Sequence, residues 1–189
     1  GKDVVVVSGL AYGIDVAAHL AALECGMPTV AVMAHGLDMI YPAQHRSVAA
    51  DIVRRRGAVT TEYGCRTRVH RSNFLARNRI IAALSDCTVV VESAFKGGAL
   101  VTAKVAQNYG RDVFAFPGRV SDEYSEGCNS LIRKNVAALV TSASDVVDMM
   151  RWERSAKPVE KSLFIEYTKE EQTVVDCLQG RDLVQINEL

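Results

Sequence analysis

The sequence predicts an α/β fold with a mostly parallel sheet and helices on both faces. Short runs such as Val4–Val7 are apolar throughout, which is typical of strands buried on both faces of a parallel sheet. Such runs alternate with helical stretches, and this alternation produces right-handed βαβ units. The 189 residues, 49% of them hydrophobic, are enough for one core and a small appendage.

Each element follows from local signals. Gly26, Gly57 and Gly110 stop helical stretches, and Pro42 starts one. The predicted strands are Val4–Val7, Thr29–Met33, Ala58–Glu62, Cys87–Glu92, Asp112–Phe116 and Ala137–Val140. One predicted helix ends near Cys25, and the others span Pro42–Arg56, Ala76–Leu84, Ala99–Tyr109, 129–135 and Ser144–Met150. An irregular segment is expected over 63–75.

The domain organisation is predicted from a change in composition after residue 150. Residues 1–150 form the α/β unit, and the polar stretch 151–163, which contains Pro158, is expected to be a linker. Residues 164–189 are expected to start a small C-terminal domain, because Thr168 can cap a helix there. The chain is expected to lack a leading βα unit and to stop within the second domain.

The distribution of charge along the chain allows binding to phosphate. Net charge is zero, yet residues 1–140 carry 16 basic and 12 acidic residues. Between Glu62 and Asp86 the chain has five arginines and no acid, so a local basic patch can bind phosphate.

No apolar run is long enough to span a membrane. The five cysteines have no metal-ligand or CxxC spacing, which favours reduced thiols in the cytoplasm and argues against a metal site.

A ligand is expected outside the carboxyl ends of the strands. Two connections there are rich in glycine, Ser8-Gly9 with Gly13, and Lys96-Gly97-Gly98. Glycine lets the backbone approach a ligand closely, and a following helix start favours an anion. Neither connection matches GxGxxG or a Walker loop, so no nucleotide cofactor is specified.

The basic segment contributes Arg77-Asn78-Arg79, expected at a helix start. Residues two apart diverge by about 200° on a helix, so one arginine can reach phosphate while the other braces the scaffold. Asn78 can both donate and accept hydrogen bonds. Phe74 either stacks on a base or belongs to the core. Arg46 follows the previous strand and is expected at the same rim.

Several polar residues allow alternative roles. Asp15 is either a catalytic acid or a brace for its loop, and His19 at i+4 is either a proton relay or a helix-stabilising partner. Glu92 ends a strand where a catalytic carboxylate would sit. Asp15, Glu92 and the glycines keep open a phosphoribohydrolase acting on nucleoside monophosphates, although no catalytic or metal-binding set is predicted.

Six ordered motifs over roughly residues 4–150 resemble the DNA-processing protein A family (DprA, also called Smf). The motifs are Ser8–Asp15 with Ala18-His19, Gly36-Leu37-Asp38 with Tyr41-Pro42, Phe74–Ile81, Gly98 with Leu100 and Thr102-Ala103, Pro117-Gly118, and Gly127-Cys128-Asn129 with Leu131-Ile132.

The resemblance implies an extended Rossmann-like fold and the start of a winged-helix-like C-terminal domain. It also implies a homodimer that binds single-stranded DNA without sequence preference and loads the RecA recombinase in natural transformation, with no catalysis and no cofactor. The implied DNA-contacting residues are Arg46, Phe74, Arg77, Asn78, Arg79, Lys96, Gly97 and Gly98.

The sequence departs from the family pattern at several places. The family's leading strand, with its phosphate-contacting turn, is expected to be missing from this chain. Tyr12 stands where the family often has Arg or Lys, and Gly97 and Ala99 stand where it often has Ser. We therefore expect the site to depend on backbone N–H groups and on Arg77 and Arg79.

Overall fold

A computed structural model describes residues 4–152, and the expected α/β fold is confirmed. The strands are β1 (Val6–Ser8), β2 (Thr29–Val32), β3 (Ala58–Thr60), β4 (Cys87–Val90), β5 (Asp112–Ala115) and β6 (Ala138–Leu139). The helices are α1 (Ile14–Glu24), α2 (Arg46–Arg54), α3 (Arg71–Leu84), α4 (Gly98–Asn108), α5 (Glu126–Arg133) and α6 (Ala143–Met149). Short 3-10 turns, Ala43–His45 and Glu123–Ser125, lead into α2 and α5.

The described strands form two three-stranded sheets in the orders β1-β2-β3 and β4-β5-β6, and every pairing is parallel. In the first sheet Ala31 lies between Ser8 and Val59, and in the second Ala115 lies between Val90 and Leu139. Because the strands of each sheet run in one direction, the connections that leave their carboxyl ends gather at one edge of that sheet.

Helix α3 contributes to both halves of the fold. Its residue Ala82 is fully buried in the core of the second sheet. Its earlier turns contact β1 and β2 of the first sheet. The core of the first sheet is built from Leu10, Leu23, Ala31, Met33, Ala49 and Ile52. Side chains that face inward from the start of α3 therefore meet the carboxyl ends of β1 and β2.

The sequence prediction was wrong about where α3 begins. The helix starts at Arg71 rather than at Ala76, so part of the segment expected to be irregular is helical. His70 caps it: its ring Nδ1 accepts a hydrogen bond from the Ser72 amide at 3.3 Å. Sequence patterns identify helix starts by Ser, Thr, Asp or Asn at the cap, and histidine is not among them. Arg77 therefore lies well inside the helix.

Most of the expected linker and the whole expected C-terminal domain lie outside residues 4–152. Within those residues, no helix combines the length and the apolar character needed to cross a membrane.

His19 on α1 is fully buried, and its partner is Thr29 of β2 rather than Asp15. The Thr29 hydroxyl donates to the Val6 carbonyl at 2.8 Å, so His19 Nδ1 must donate to Thr29 Oγ1, 2.6 Å away. Nε2 is then a bare acceptor, and within the described residues it has no hydrogen-bond partner. The expected i,i+4 pair with Asp15 is not formed.

Burial lowers the pKa of His19 to about 4, against an opposing effect of Asp15 and with a further lowering by His45. The folded protein therefore binds this proton less readily than the unfolded chain, and stability falls as pH drops below about 6.5. Between pH 7 and pH 5 we expect the wild type to lose about 2 kcal/mol more than His19→Asn, which has no titrating ring. Urea unfolding at both pH values measures this difference, and equal losses would contradict it.

Candidate nucleic-acid interface

The turn between β1 and α1 is held by Asp15. One carboxylate oxygen of Asp15 accepts hydrogen bonds from the amides of Gly9 at 3.1 Å and Ala11 at 3.2 Å. Gly13 has a φ of 80°, a conformation that favours glycine, and the space around its Cβ position is open. Ser8 ends β1 immediately before this turn. Asp15 thus acts as a brace for the loop.

Arg77 is a buried link between α3 and the ends of two strands. Only 3% of the residue is exposed. Its Nη1 donates to the Gly9 carbonyl at 3.0 Å and to the carbonyl of Val32, the last residue of β2. Its Nε donates to Asn78 Oδ1 at 3.2 Å. Burial lowers the pKa of Arg77, and the charges of Asp15 and Tyr63 oppose that effect. Arginine keeps its proton in proteins, so a charged guanidinium is held here by its hydrogen bonds.

The Arg77 guanidinium lies so close to Gly9 that it leaves no room for a side chain there. A Cβ on Gly9 would lie 2.5–2.6 Å from Cζ, Nη1 and Nη2 of Arg77. The close approach lets the Gly9 carbonyl accept from Arg77 while its amide donates to Asp15. The glycine in the first motif and the arginine in the third are therefore two halves of one contact.

Arg79 has a different environment from Arg77, as the divergence of positions two apart on a helix predicts. About half of its side chain is exposed, and its Nη2 forms a salt bridge with Glu62. Glu62 precedes the acid-free stretch in the sequence, and in the fold its carboxylate contacts Arg79, which belongs to that stretch. Of the expected pair, Arg77 is directed into the protein and Arg79 toward solvent.

Phe74 is half-buried and has two ring neighbours on the same edge. The Tyr41 ring centroid lies 6.1 Å from its own, in a tilted arrangement. The Arg77 guanidinium carbon lies 5.7 Å from the Phe74 centroid, which is a cation–π distance. Phe74 therefore connects the buried arginine to the surface ring of Tyr41.

The edge of the first sheet carries exposed cations. They lie in the connections that follow β2 and β3 and at the helix starts that these connections reach. Within residues 4–152 none of them has a carboxylate within salt-bridge distance. These residues are Arg46, Arg66, Arg68 and Arg71.

Arg71 is a residue that the sequence-based site omitted. It is exposed and is the first residue of α3, one helical turn before Phe74. The error in the start of α3 hid this position, because the residue was expected in an irregular loop. His70 at the cap is the only local signal, and it is a weak one.

The edge of the second sheet holds the two other glycine-containing segments. Lys96 and Gly98 are exposed at the start of α4. A Cβ on Gly97 would overlap Ser93 Oγ, so Gly97 packs closely against that side chain. Gly118 is held by the Asn129 side chain, which accepts from its amide at 3.2 Å and donates to its carbonyl at 3.0 Å.

The described residues contain no group of three or more His, Cys, Asp or Glu side chains placed to hold a metal ion. Glu92 is exposed beyond the end of β4, and Asp15 is engaged with two backbone amides. What the two edges offer a ligand is exposed positive charge with aromatic rings beside it.

Comparison with known proteins identifies the family. The family model of DNA recombination-mediator protein A matches residues 1–151. The chain belongs to this family. DNA processing protein DprA of Streptococcus pneumoniae is 45% identical over 146 residues, which cover 77% of this chain and 51% of that protein. The chain spans about half the length of the curated relatives it matches.

Two solved structures of family members share the fold. The structure of DprA from S. pneumoniae has a TM-score of 0.72 and 43% identity, over 78% of this chain and 51% of that one. A structure of DprA from Helicobacter pylori, which concerns that protein's single-stranded DNA binding mode, has a TM-score of 0.70 and 31% identity. It covers 78% of this chain and 66% of that one.

Proposed function

We propose that this chain binds single-stranded DNA without sequence preference along the carboxyl edges of its sheets. The observation that carries the proposal is a set of exposed arginines at the first edge with no carboxylate within salt-bridge distance in residues 4–152: Arg46, Arg66, Arg68 and Arg71. Guanidinium groups bind phosphate oxygens, which are the same for every base. Binding through them is therefore independent of sequence.

A single strand fits this surface because it offers unpaired bases as well as phosphates. Proteins that bind single strands place aromatic side chains next to a basic track. Phe74 and Tyr41 lie next to each other at this edge, and in the sequence Tyr41 precedes Arg46 while Phe74 follows Arg71. Lys96 with Gly97 and Gly98, and Arg79 beside Glu62, are proposed to extend the same track.

Arg77 and Asn78 are proposed to act from inside the fold. Arg77 is buried on the carbonyls of Gly9 and Val32, and Asn78 accepts from its Nε. Phosphate would have to replace these hydrogen bonds in order to reach the guanidinium. We therefore assign Arg77 the bracing role that one of the two arginines was expected to have.

At the level of the whole protein, we propose loading of RecA on single-stranded DNA during natural transformation, by a homodimer and without catalysis. Membership of a family of recombination mediators supports this proposal.

The test is the salt dependence of oligo-dT binding by Arg46→Ala/Arg71→Ala. Each phosphate contact on a single strand contributes about 0.7 to the slope of log affinity against log salt. The double variant should lose about 1.4 of that slope and bind roughly tenfold more weakly at low salt. The same double variant should also start RecA-dependent ATP hydrolysis more slowly than wild type, on single strands coated with a single-strand-binding protein.

The matched control is Arg54→Ala/Arg133→Ala, which removes the same charge from the last turns of α2 and α5. Those helix ends lie away from the carboxyl edges. Equal slopes for the two double variants would rule out the assigned surface. Failure of the unmodified full-length protein to bind oligo-dT would rule out the function.

A further inference from the structure

Tyr12 is an exposed aromatic residue that is nevertheless held in place. It lies in the turn between β1 and α1, and 61% of it is exposed. Its hydroxyl donates to Gln44 Oε1 at 2.9 Å. Its ring meets the ring of His45 edge to face, with centroids 5.1 Å apart and planes 70° apart.

The support beneath Tyr12 is itself rigid. His45 is buried, and its Nδ1 is hydrogen-bonded to the Leu10 carbonyl at 2.8 Å. Leu10 is fully buried. A surface tyrosine without such contacts samples several rotamers and loses that freedom when a ligand binds. Tyr12 is already ordered, so a planar group can stack on its open surface at a lower entropic cost.

The residue after His45 supplies a charge of the right sign for a nucleotide. Arg46 directly follows His45, is exposed, and has no carboxylate within salt-bridge distance in residues 4–152. A ring for the base and a guanidinium for the phosphate are the two components of a site for one nucleotide of a single strand. Tyr12 lies on the connection that leaves β1, and Arg46 begins α2 after the connection that leaves the neighbouring strand β2.

We infer that Tyr12 is a stacking platform for one base of the bound strand, with Arg46 on the adjoining phosphate. The inference rests on the proposed single-strand binding and gives it a base-contacting residue. Tyr41 and Phe74 are less suited, because each covers part of the other and Arg77 lies over the Phe74 ring. The contact requires a base but no particular base, since every base has a face that can stack.

The experiment compares oligo-dT with an oligonucleotide of equal length whose central positions lack bases. Full-length protein carrying Tyr12→Leu should bind oligo-dT about 5- to 150-fold more weakly than wild type, the range that alanine substitution of stacking residues gives. Binding of the abasic strand should be unchanged, and so should the slope against salt. Tyr12→Phe keeps the ring and should bind oligo-dT within about threefold of wild type, since stacking provides the energy.

Tyr109→Leu is the matched control, because it removes another exposed tyrosine, at the far end of α4 from the carboxyl edge. It should leave binding of both strands unchanged. Equal loss on oligo-dT and on the abasic strand would overturn the inference and assign Tyr12 a role in shaping the turn. Unchanged binding of both strands by Tyr12→Leu would also overturn it. In both cases the proposed function survives, since it fails only if the wild type does not bind.

Discussion

Arg77→Ala is expected to lower the free energy of unfolding by about 3–5 kcal/mol, because two buried carbonyls lose a charged donor. Those carbonyls belong to Gly9 and Val32, at the ends of β1 and β2. Arg77→Lys should recover only part of the loss, since an ammonium lacks the fork that reaches both strands and Asn78 together. Urea unfolding followed by far-ultraviolet circular dichroism measures both variants.

Arg79→Ala is the control on the same helix. Its guanidinium is half-exposed and paired with Glu62, and exposed ion pairs contribute about 0–1 kcal/mol. If the two alanine variants lose similar stability, the bracing role of Arg77 is wrong. Because Arg77→Ala weakens the scaffold, loss of DNA binding in that variant would not by itself indicate a direct contact.

Gly9→Ala is expected to cost about 1–3 kcal/mol, because the new methyl group would overlap a guanidinium that is held by hydrogen bonds to Val32 and Asn78. Three atoms of Arg77 lie 2.5–2.6 Å from the Cβ position. In an Arg77→Met background the same change should cost less, since the rigid planar group is gone. The cost of the double variant should therefore fall short of the sum of the single costs, as expected for residues in contact.

Gly64→Ala controls for the general effect of replacing a glycine near this edge. No atom lies within 4 Å of its Cβ position, and its φ is outside the region that favours glycine. It should change stability by less than about 0.5 kcal/mol. Strict additivity of Gly9→Ala and Arg77→Met would contradict the contact.

The fold class could be predicted from the sequence because parallel strands that are buried on both faces leave a clear signal. Val30, Val32 and the other apolar strand residues form short runs bounded by glycines, and these runs became the strands of the two sheets. The start of α3 could not be predicted in this way. Its cap is His70, whose ring replaces the short oxygen-bearing side chains that usually mark a helix start.

Part of the candidate site was also predictable. Helical geometry alone separates Arg77 from Arg79, and the structure directs one inward and the other outward. Which of them is buried depends on contacts between distant segments. The Gly9 carbonyl that holds Arg77 and the Glu62 carboxylate that pairs with Arg79 are both brought in by tertiary packing. No local pattern around Arg77 encodes either contact.

Asp15 has a consequence for which anions this edge can accept. A phosphate entering the first glycine-rich turn would need the amides of Gly9 and Ala11, and the Asp15 carboxylate already occupies both. A free nucleoside monophosphate would have to displace that internal anion and would be repelled by its charge. A polymer lying across the outer arginines meets no such competition. The internal carboxylate therefore closes this turn to an added phosphate and leaves the exposed arginines outside it as the positive charge on this edge.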